Sequence, residues 1–219
     1  LSLIGIIVLM PIIIIFSLLI WLQDFKSPFY VAHRVGKFGK LFKMIKFRSM
    51  IFNASSSGVD STADDDKRIT NIGKVVRKFK IDEIPQLFNV FMGQMSFVGP
   101  RPNVLNETNL YSEVENKILT VRPGITDFSS IVFSDEGDIL KGSKNPDLRY
   151  NQIIRPWKSR LAIVYIENQS LLIDIKLIIW TIIGIINKRL VLKNITNFLR
   201  NIDCDQRLIN TCKRDKELE

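Results

Sequence analysis

The sequence predicts an α+β protein, mainly helical, anchored in a membrane by its N-terminus. Three observations carry this. Residues 1–22, LSLIGIIVLMPIIIIFSLLIWL, contain no charged side chain. PFYVAHRVG (28–36) and KLFKMIKF (40–47) flank a Lys37–Phe38–Gly39 turn, the pattern of a short β-hairpin. Beyond them, apolar residues recur mainly at helical spacing.

As a helix, residues 1–22 extend roughly 33 Å, about the hydrocarbon thickness of a bilayer. No small-residue cleavage site follows Trp21 and Leu22, so a signal peptide fits poorly. Pro11 stands at the middle, where it lacks the N–H that would bond the Ile7 carbonyl. Each half then reaches about 15 Å, half a bilayer. The stretch alone allows a kinked spanning helix or a bend that returns the chain to the face it entered. Charges upstream of Leu1, which is not an initiator Met, would help to decide. Residues 26–48 hold seven Lys or Arg and no acid, which predicts a following domain on the cytoplasmic side.

The chain has 219 residues, suited to one domain with an attachment, large enough to need no disulfide scaffold. We divide it into a membrane helix (1–22), a compact membrane-surface domain (23–187) and a basic, polar C-terminal tail (188–219). Cys204 and Cys212 make no metal-ligand pattern and read as reduced thiols. The formal charge of +9 implies anionic partners: nucleic acid, acidic lipid or a phosphorylated small molecule. No zinc-finger spacing and no strip of stacking aromatics supports nucleic acid. The sequence leaves oligomeric state open, a homo-oligomer included.

Within the domain, residues 51–66 (IFNASSSGVDSTADDD) read as a polar loop. Thr70 and Asn71 predict the cap of a helix over 72–80, with Ile72, Val75, Val76 and Phe79 on one face. Ile84, Leu87, Phe88, Phe91 and Met92 have helical spacing, and Pro85 places the start of that helix near Asp82. Residues 96–102 read as a loop, 104–119 as a polar helix and VRPGIT (121–126) as a turn. Residues 171–186, LLIDIKLIIWTIIGII, are apolar but interrupted by Asp174 and Lys176. They are short for a span, so an interfacial or core helix is expected.

Asp82 and Glu83 stand at the start of a helix. Acids there commonly satisfy orphan N–H groups and complement the dipole. The same position keeps a carboxylate ionised, able to serve as a nucleophile or a magnesium ligand. A His/Cys metal cluster is missing from the sequence, which argues against zinc.

FKMIKFRSM (42–50), IDEIPQLFNVFMGQMSFVGPRP (81–102), VRPGIT (121–126) and YIENQSLLIDIK (165–176) together resemble the bacterial sugar transferases. These are monotopic phosphoglycosyl transferases that load a phospho-sugar onto polyprenyl phosphate. The resemblance runs from about Ile4 to Ile186. It implies a re-entrant N-terminal helix broken at Pro11 and an Asp-Glu dyad working with Mg²⁺, with Asp82 as nucleophile and metal ligand and Glu83 as its partner. Lys46, Arg77 and Asp174 fall on motif positions that look functional in the family. Arg101 and Arg122 lie in motifs too, and a guanidinium there serves phosphate or carboxylate alike. The implied substrates are a nucleotide-sugar donor, UDP-linked by expectation, and polyprenyl phosphate in membrane lipid. The implied place is the cytoplasmic face of a bacterial inner membrane, at the first membrane step of glycoconjugate assembly.

Six positions depart from the family pattern. Met10 replaces the Ser before the bend proline, Ala32 a hairpin Gln, and Gln94 the Asp of a GDMS motif. Asp127 replaces a Gly, Ser134 an Arg and Ala162 an Asp. They motivate one alternative, a catalytically weakened membrane-anchored scaffold on the same fold.

Overall fold

The computed structural model describes residues 1–54, 58–59, 61–215 and 218. Ser55, Ser56, Ser57 and Asp60 of the expected 51–66 loop lie outside the described residues, as do Lys216, Glu217 and Glu219.

The apolar N-terminus is one helix, α1 (Ser2–Leu22), with Pro11 inside it. Among the described residues it is the one helix long and apolar enough to cross a membrane. Only Ile6, Ile13 and Ile20 are buried, one narrow seam repeating every seven residues. Much of the rest of its surface, including Ile4, Ile7, Val8, Ile14, Ile15 and Leu18, is bare, far more apolar exposure than a soluble surface carries. Near one end Gly5 faces Leu87 closely. Towards the other, Ile13, Phe16 and Ile20 pack with Phe29, Phe47, Ile81, Ile84 and Phe88. α1 therefore lies against the domain along most of its length.

The expected hairpin forms: β1 (Phe29–Val35) pairs antiparallel with β2 (Leu41–Phe47), Phe29 opposite Phe47 and Val35 opposite Leu41. A 3₁₀ turn at Lys37–Gly39 joins them. The next helix, α2 (Asn71–Lys78), is capped by the Thr70 hydroxyl, which accepts the Gly73 N–H at 2.9 Å. Of its expected apolar face only Val76 is fully buried; Val75 and Phe79 are exposed.

The helix expected from Asp82 starts later. Asp82 and Glu83 occupy a 3₁₀ turn, Ile81–Glu83, and α3 runs only over Gln86–Phe91. Pro85 has no N–H for the Ile81 carbonyl, so that carbonyl takes the Ile84 N–H at 3.1 Å instead and the turn stays tight. Two further expectations are corrected. The 96–102 loop and the VRPGIT turn contain β3 (Ser96–Val98) and β4 (Gly124–Thr126), paired in parallel. The polar helix expected at 104–119 is broken into α4 (Leu105–Thr108) and a 3₁₀ turn at Glu115–Thr120.

After β4 come α5 (Phe128–Val132), α6 (Glu136–Leu140) and α7 (Pro146–Arg149), then a π-helical turn at Tyr150–Ile154 leading into α8 (Arg155–Glu167). The second apolar stretch is α9 (Leu171–Ile186), capped by Ser170. Leu177 is its one fully buried residue, while Leu171, Leu172, Ile179, Ile182 and Ile186 are bare. The C-terminal segment that composition marks only as polar forms α10 (Lys188–Asn201) and α11 (Gln206–Lys213). Val191, Ile195, Leu199 and Ile209 join Phe128, Val132, Leu161, Tyr165 and Leu177 in the main core. At about 1.5–3 kcal/mol per fully buried aliphatic side chain, α10 and α11 are integral to the fold. Cys204 and Cys212, in the same region, are free thiols.

Candidate active site

The site begins with a backbone irregularity. Lys80 has φ 55° and ψ 22°, left-handed, and it ends α2 so that the 81–83 turn reverses towards the hairpin. A non-glycine residue there costs about 1–2 kcal/mol. The Lys80 ammonium offsets it by crossing to α5, donating to the Ser130 carbonyl at 3.1 Å.

Neither acid of the turn caps a helix: no side-chain cap bond forms at the start of the turn or of α3. Glu83 instead accepts from two cations through one oxygen. Lys46 Nζ, on β2, lies 3.3 Å from Glu83 Oε1, and Arg101 Nη2 donates to that same oxygen. Burial alone would raise the Glu83 pKa. Arg101, then Lys46 and Lys80, reverse this and hold its carboxyl far below the usual carboxylate range. Glu83 in turn holds the Arg101 guanidinium more firmly protonated, and burial pulls the Lys46 and Lys80 ammonium groups below the ordinary lysine range.

Asp82 behaves in the opposite way. Burial pushes its pKa up and the Glu83 charge adds to that, against opposition from Lys46, Arg77 and Arg101. Among the described residues its carboxylate takes no hydrogen bond and no ion pair. It is a carboxyl group set among cations but, among the described residues, hydrogen-bonded to none of them.

Both acids line a cleft of about 950 Å³ shared with Lys46, Lys74, Arg77, Lys78, Lys80 and Arg101. Asp135, Glu136, Asp138 and Lys158 also line it. Phe29 and Phe47, which pack against α1, line it on one side, and Thr181, Gly184 and Ile185 of α9 on another. The cleft is therefore lined in part by α9 itself and in part by hairpin residues that pack against α1. A space of this size suits a nucleotide-sized ligand. Three metal-type side chains (His, Cys, Asp or Glu) do not converge anywhere among the described residues; beside the cations, Asp82 offers a carboxyl group with no ion pair among those residues.

Two devices set the cations. Asn89 of α3, fully buried, accepts the Ile45 N–H at 3.0 Å and donates to the Lys43 carbonyl at 2.7 Å, so β2 is held with Lys46 facing Glu83. Arg101 sits between Pro100 and Pro102, at the end of a glycine contact. A Cβ on Gly124 would stand 2.1 Å from the Gly99 nitrogen, and the Gly124 N–H donates to the Pro100 carbonyl at 2.9 Å. Only side-chain-free residues allow that approach.

Asp82, Glu83, Lys46, Arg77 and Arg101 thus come together. Arg122 and Asp174 do not line the cleft. Arg122 precedes β4, its carbonyl close against Gly99. Asp174, in the first turn of α9, accepts the Tyr165 hydroxyl at 2.7 Å and ties α8 to α9. Pro11 lies in α1, away from the dyad in sequence. Sequence reading missed Lys80, Lys158 and Asn89. Asn89 did leave a signal, a lone amide within the apolar run LFNVF. Lys158 pairs with Glu136 and lies 5.2 Å from the Tyr150 ring centre.

Most of the departures have structural places. Gln94 Oε1 accepts the Asn89 amide at 2.7 Å and so belongs to the β2 support. Asp127 caps α5, accepting the Ser130 N–H at 2.7 Å, while the Ser130 hydroxyl accepts the Asp127 N–H at 2.8 Å. Ala162 is buried in α8, Ala32 packs with Met44 and Met95, and Ser134 lines the cleft. Nothing in the structure explains Met10.

Known proteins bear on this arrangement. A putative undecaprenyl-phosphate N-acetylgalactosaminyl 1-phosphate transferase of Bacillus subtilis is 48% identical over 101 residues, 46% of this chain and 56% of the relative. A UDP-N-acetylgalactosamine-undecaprenyl-phosphate N-acetylgalactosaminephosphotransferase of Aeromonas hydrophila is 33% identical over 78% of this chain and 38% of its own length. An exopolysaccharide production protein of Rhizobium leguminosarum is 33% identical over 84% of this chain and 90% of its own length. The chain thus spans about half or less of the first two relatives. The family described as bacterial sugar transferase matches residues 1–188, from α1 through α9, and the chain belongs to that family.

Proposed function

We propose that this chain transfers a phospho-sugar from a nucleotide sugar to polyprenyl phosphate at a membrane surface, with Asp82 as the nucleophile. The observation that carries the reading is the contrast within the dyad. Glu83 is neutralised by Lys46 and Arg101, whereas Asp82, among the described residues, is left without a donor in a cationic cleft. Relatives whose names specify undecaprenyl-phosphate sugar phosphotransfer support the same reaction.

In this reading an Asp82 oxygen attacks the sugar-linked phosphorus of the donor. The new bond is aspartyl O–P, the bond to the bridging oxygen breaks, and a nucleoside monophosphate leaves. A polyprenyl phosphate oxygen then attacks the same phosphorus, the aspartyl O–P bond breaks, and Asp82 returns as a carboxylate. Two displacements let a soluble donor and a lipid acceptor use one site in turn. Lys46 and Arg101, fixed by Glu83, hold positive charge where phosphate oxygens gather. Glu83, already ion-paired, works by positioning them and not as a free base. Mg²⁺ fits the donor set in one way: Asp82 with substrate phosphate oxygens and water, as Mg²⁺ sites with a single carboxylate do. When bound, it would neutralise the diphosphate and stabilise the leaving group.

A membrane-surface, monotopic placement is supported by the packing of α1 at both Gly5 and Ile20, which keeps both ends of that helix beside the same domain. The basic residues 26–48 favour the cytoplasmic face. The test is a panel of nucleotide sugars with intact-mass measurement. We expect a phospho-sugar adduct with at least one donor, Mg²⁺-dependent release of nucleoside monophosphate, and loss of both in Asp82→Asn. No adduct across a broad panel favours the scaffold alternative.

A further inference from the structure

Arg48 follows the last residue of β2 and is almost wholly buried. Its guanidinium uses all three nitrogens. Nε donates to the Ser27 carbonyl at 2.8 Å; Nη1 and Nη2 grip the two oxygens of Asp24 at 2.5 and 2.6 Å; Nη2 also meets the Ile20 carbonyl at 3.4 Å. Ile20 belongs to the last turn of α1, which has no basic residue of its own to satisfy its C-terminal carbonyls. Arg48 supplies that charge from outside the helix. Asp24 lies just beyond the helix, so the fork fixes both the end of α1 and the direction in which the chain leaves it.

The strand carries the consequence. Lys46 and Arg48 are two residues apart, about 6.6 Å along an extended chain. Lys46 meets Glu83 and Arg48 meets the end of α1. One short stretch of backbone therefore links the dyad to the membrane helix. We propose that Arg48 is a positioning residue that sets the height of Asp82 above the lipid boundary, so that attack by the lipid acceptor depends on it and attack on the soluble donor does not. The proposal rests on the transferase reading. It adds that the two displacements differ in their need for a fixed membrane depth. The donor diffuses in from water and adjusts to the cleft, whereas the acceptor phosphate is held at the bilayer surface.

The experiment takes the full chain in lipid nanodiscs and compares parent, Arg48→Met, Arg48→Lys and Asp24→Asn. Adduct formation reads the first displacement; polyprenyl-diphosphate-sugar formation reads the second. In Arg48→Met we expect adduct formation within about twofold of the parent and a lipid-dependent step slowed about 10- to 100-fold, the scale of an ångström-level misplacement. Arg48→Lys keeps a cation without the fork and should fall between. Asp24→Asn removes the charge of the partly buried partner and carries the test if Arg48→Met does not fold. Equal slowing of both steps, or no slowing, overturns the proposal. A second readout needs no turnover: with Trp157→Phe and Trp180→Phe, Trp21 in the last turn of α1 reports depth through quenching by lipids brominated at different carbons. A shifted profile in Arg48→Met supports the clamp, and an unchanged profile overturns it. A parent that forms no adduct while Trp21 still shifts condemns the transferase reading and leaves the clamp standing.

Discussion

The 81–83 turn and the first turn of α9 both carry an acid beside the start of a helix, and the two have different fates. Asp174 in α9 meets a neutral hydroxyl, that of Tyr165. Glu83 meets Lys46 and Arg101, and Asp82 meets no donor among the described residues. In neither turn does the acid cap the helix; Ser170 caps α9. A helix N-terminus is thus not what makes a carboxylate reactive here. The difference lies in what reaches its oxygens.

The sharpest way to break that comparison is Asp82→Asn, which keeps shape and removes the charge. We expect monophosphate release to fall by on the order of 10³-fold or more, while the same change at Asp174 leaves it within a few-fold. Comparable losses at both sites would remove the distinction. Asp82→Asn should also raise the neutral-pH Tm. The folded pKa of Asp82 is raised, so its ionisation costs stability; that cost is absent below the unfolded value near 3.8 and complete above the folded one.

Next comes Glu83→Gln, which leaves Lys46 and Arg101 without their counter-charge. A loss of about 2–3 kcal/mol is expected, at roughly 2–4 °C per kcal/mol for a chain of this size. The sign with pH is fixed by the lowered pKa. The stabilisation from Glu83 is fully present above the unfolded value near 4.5 and disappears as pH falls towards the folded one. Melting curves of parent and variant should therefore be furthest apart above about pH 5 and converge in stronger acid. A separation that is constant from neutral to acid pH would mean that the pair contributes nothing electrostatic.

The smallest effect is expected at the α9 turn. Tyr165→Phe should cost about 1.5 kcal/mol, the low end for a hydrogen bond to a carboxylate, with little change in turnover. Burial, then Asp174, pushes the Tyr165 hydroxyl well above its ordinary range, so it donates across the working pH. If Tyr165→Phe instead abolishes turnover, this turn belongs to the site after all.

Much of this contrast was legible beforehand. Asp82, Glu83, Lys46, Arg77 and Arg101 stand in motifs, and the hairpin and the Thr70 cap follow local rules. Arg122 and Asp174 stand in equally specific motifs and do not line the cleft, because a motif records what a fold needs as well as what a reaction needs. The parallel β3–β4 pair escaped notice because each strand has three residues, too few for an alternation to register. Lys80 gave no sign, since a left-handed lysine is chosen by its tertiary contact with Ser130 and not by propensity. The last two helices were hidden by their polar majority. Val191, Leu192, Ile195 and Leu199 recur at helical spacing within it, a signal that composition averages away.

The meeting of Gly99 and Gly124 has a consequence for Arg101. The loop that bears this guanidinium is anchored by two backbones in direct touch, so its aim depends on carbon atoms that are absent. A methyl group added at position 124, far smaller than the guanidinium and never charged, would have to push the strands apart before it could fit. The reach of a long cation in the cleft is governed by the smallest residues beneath it.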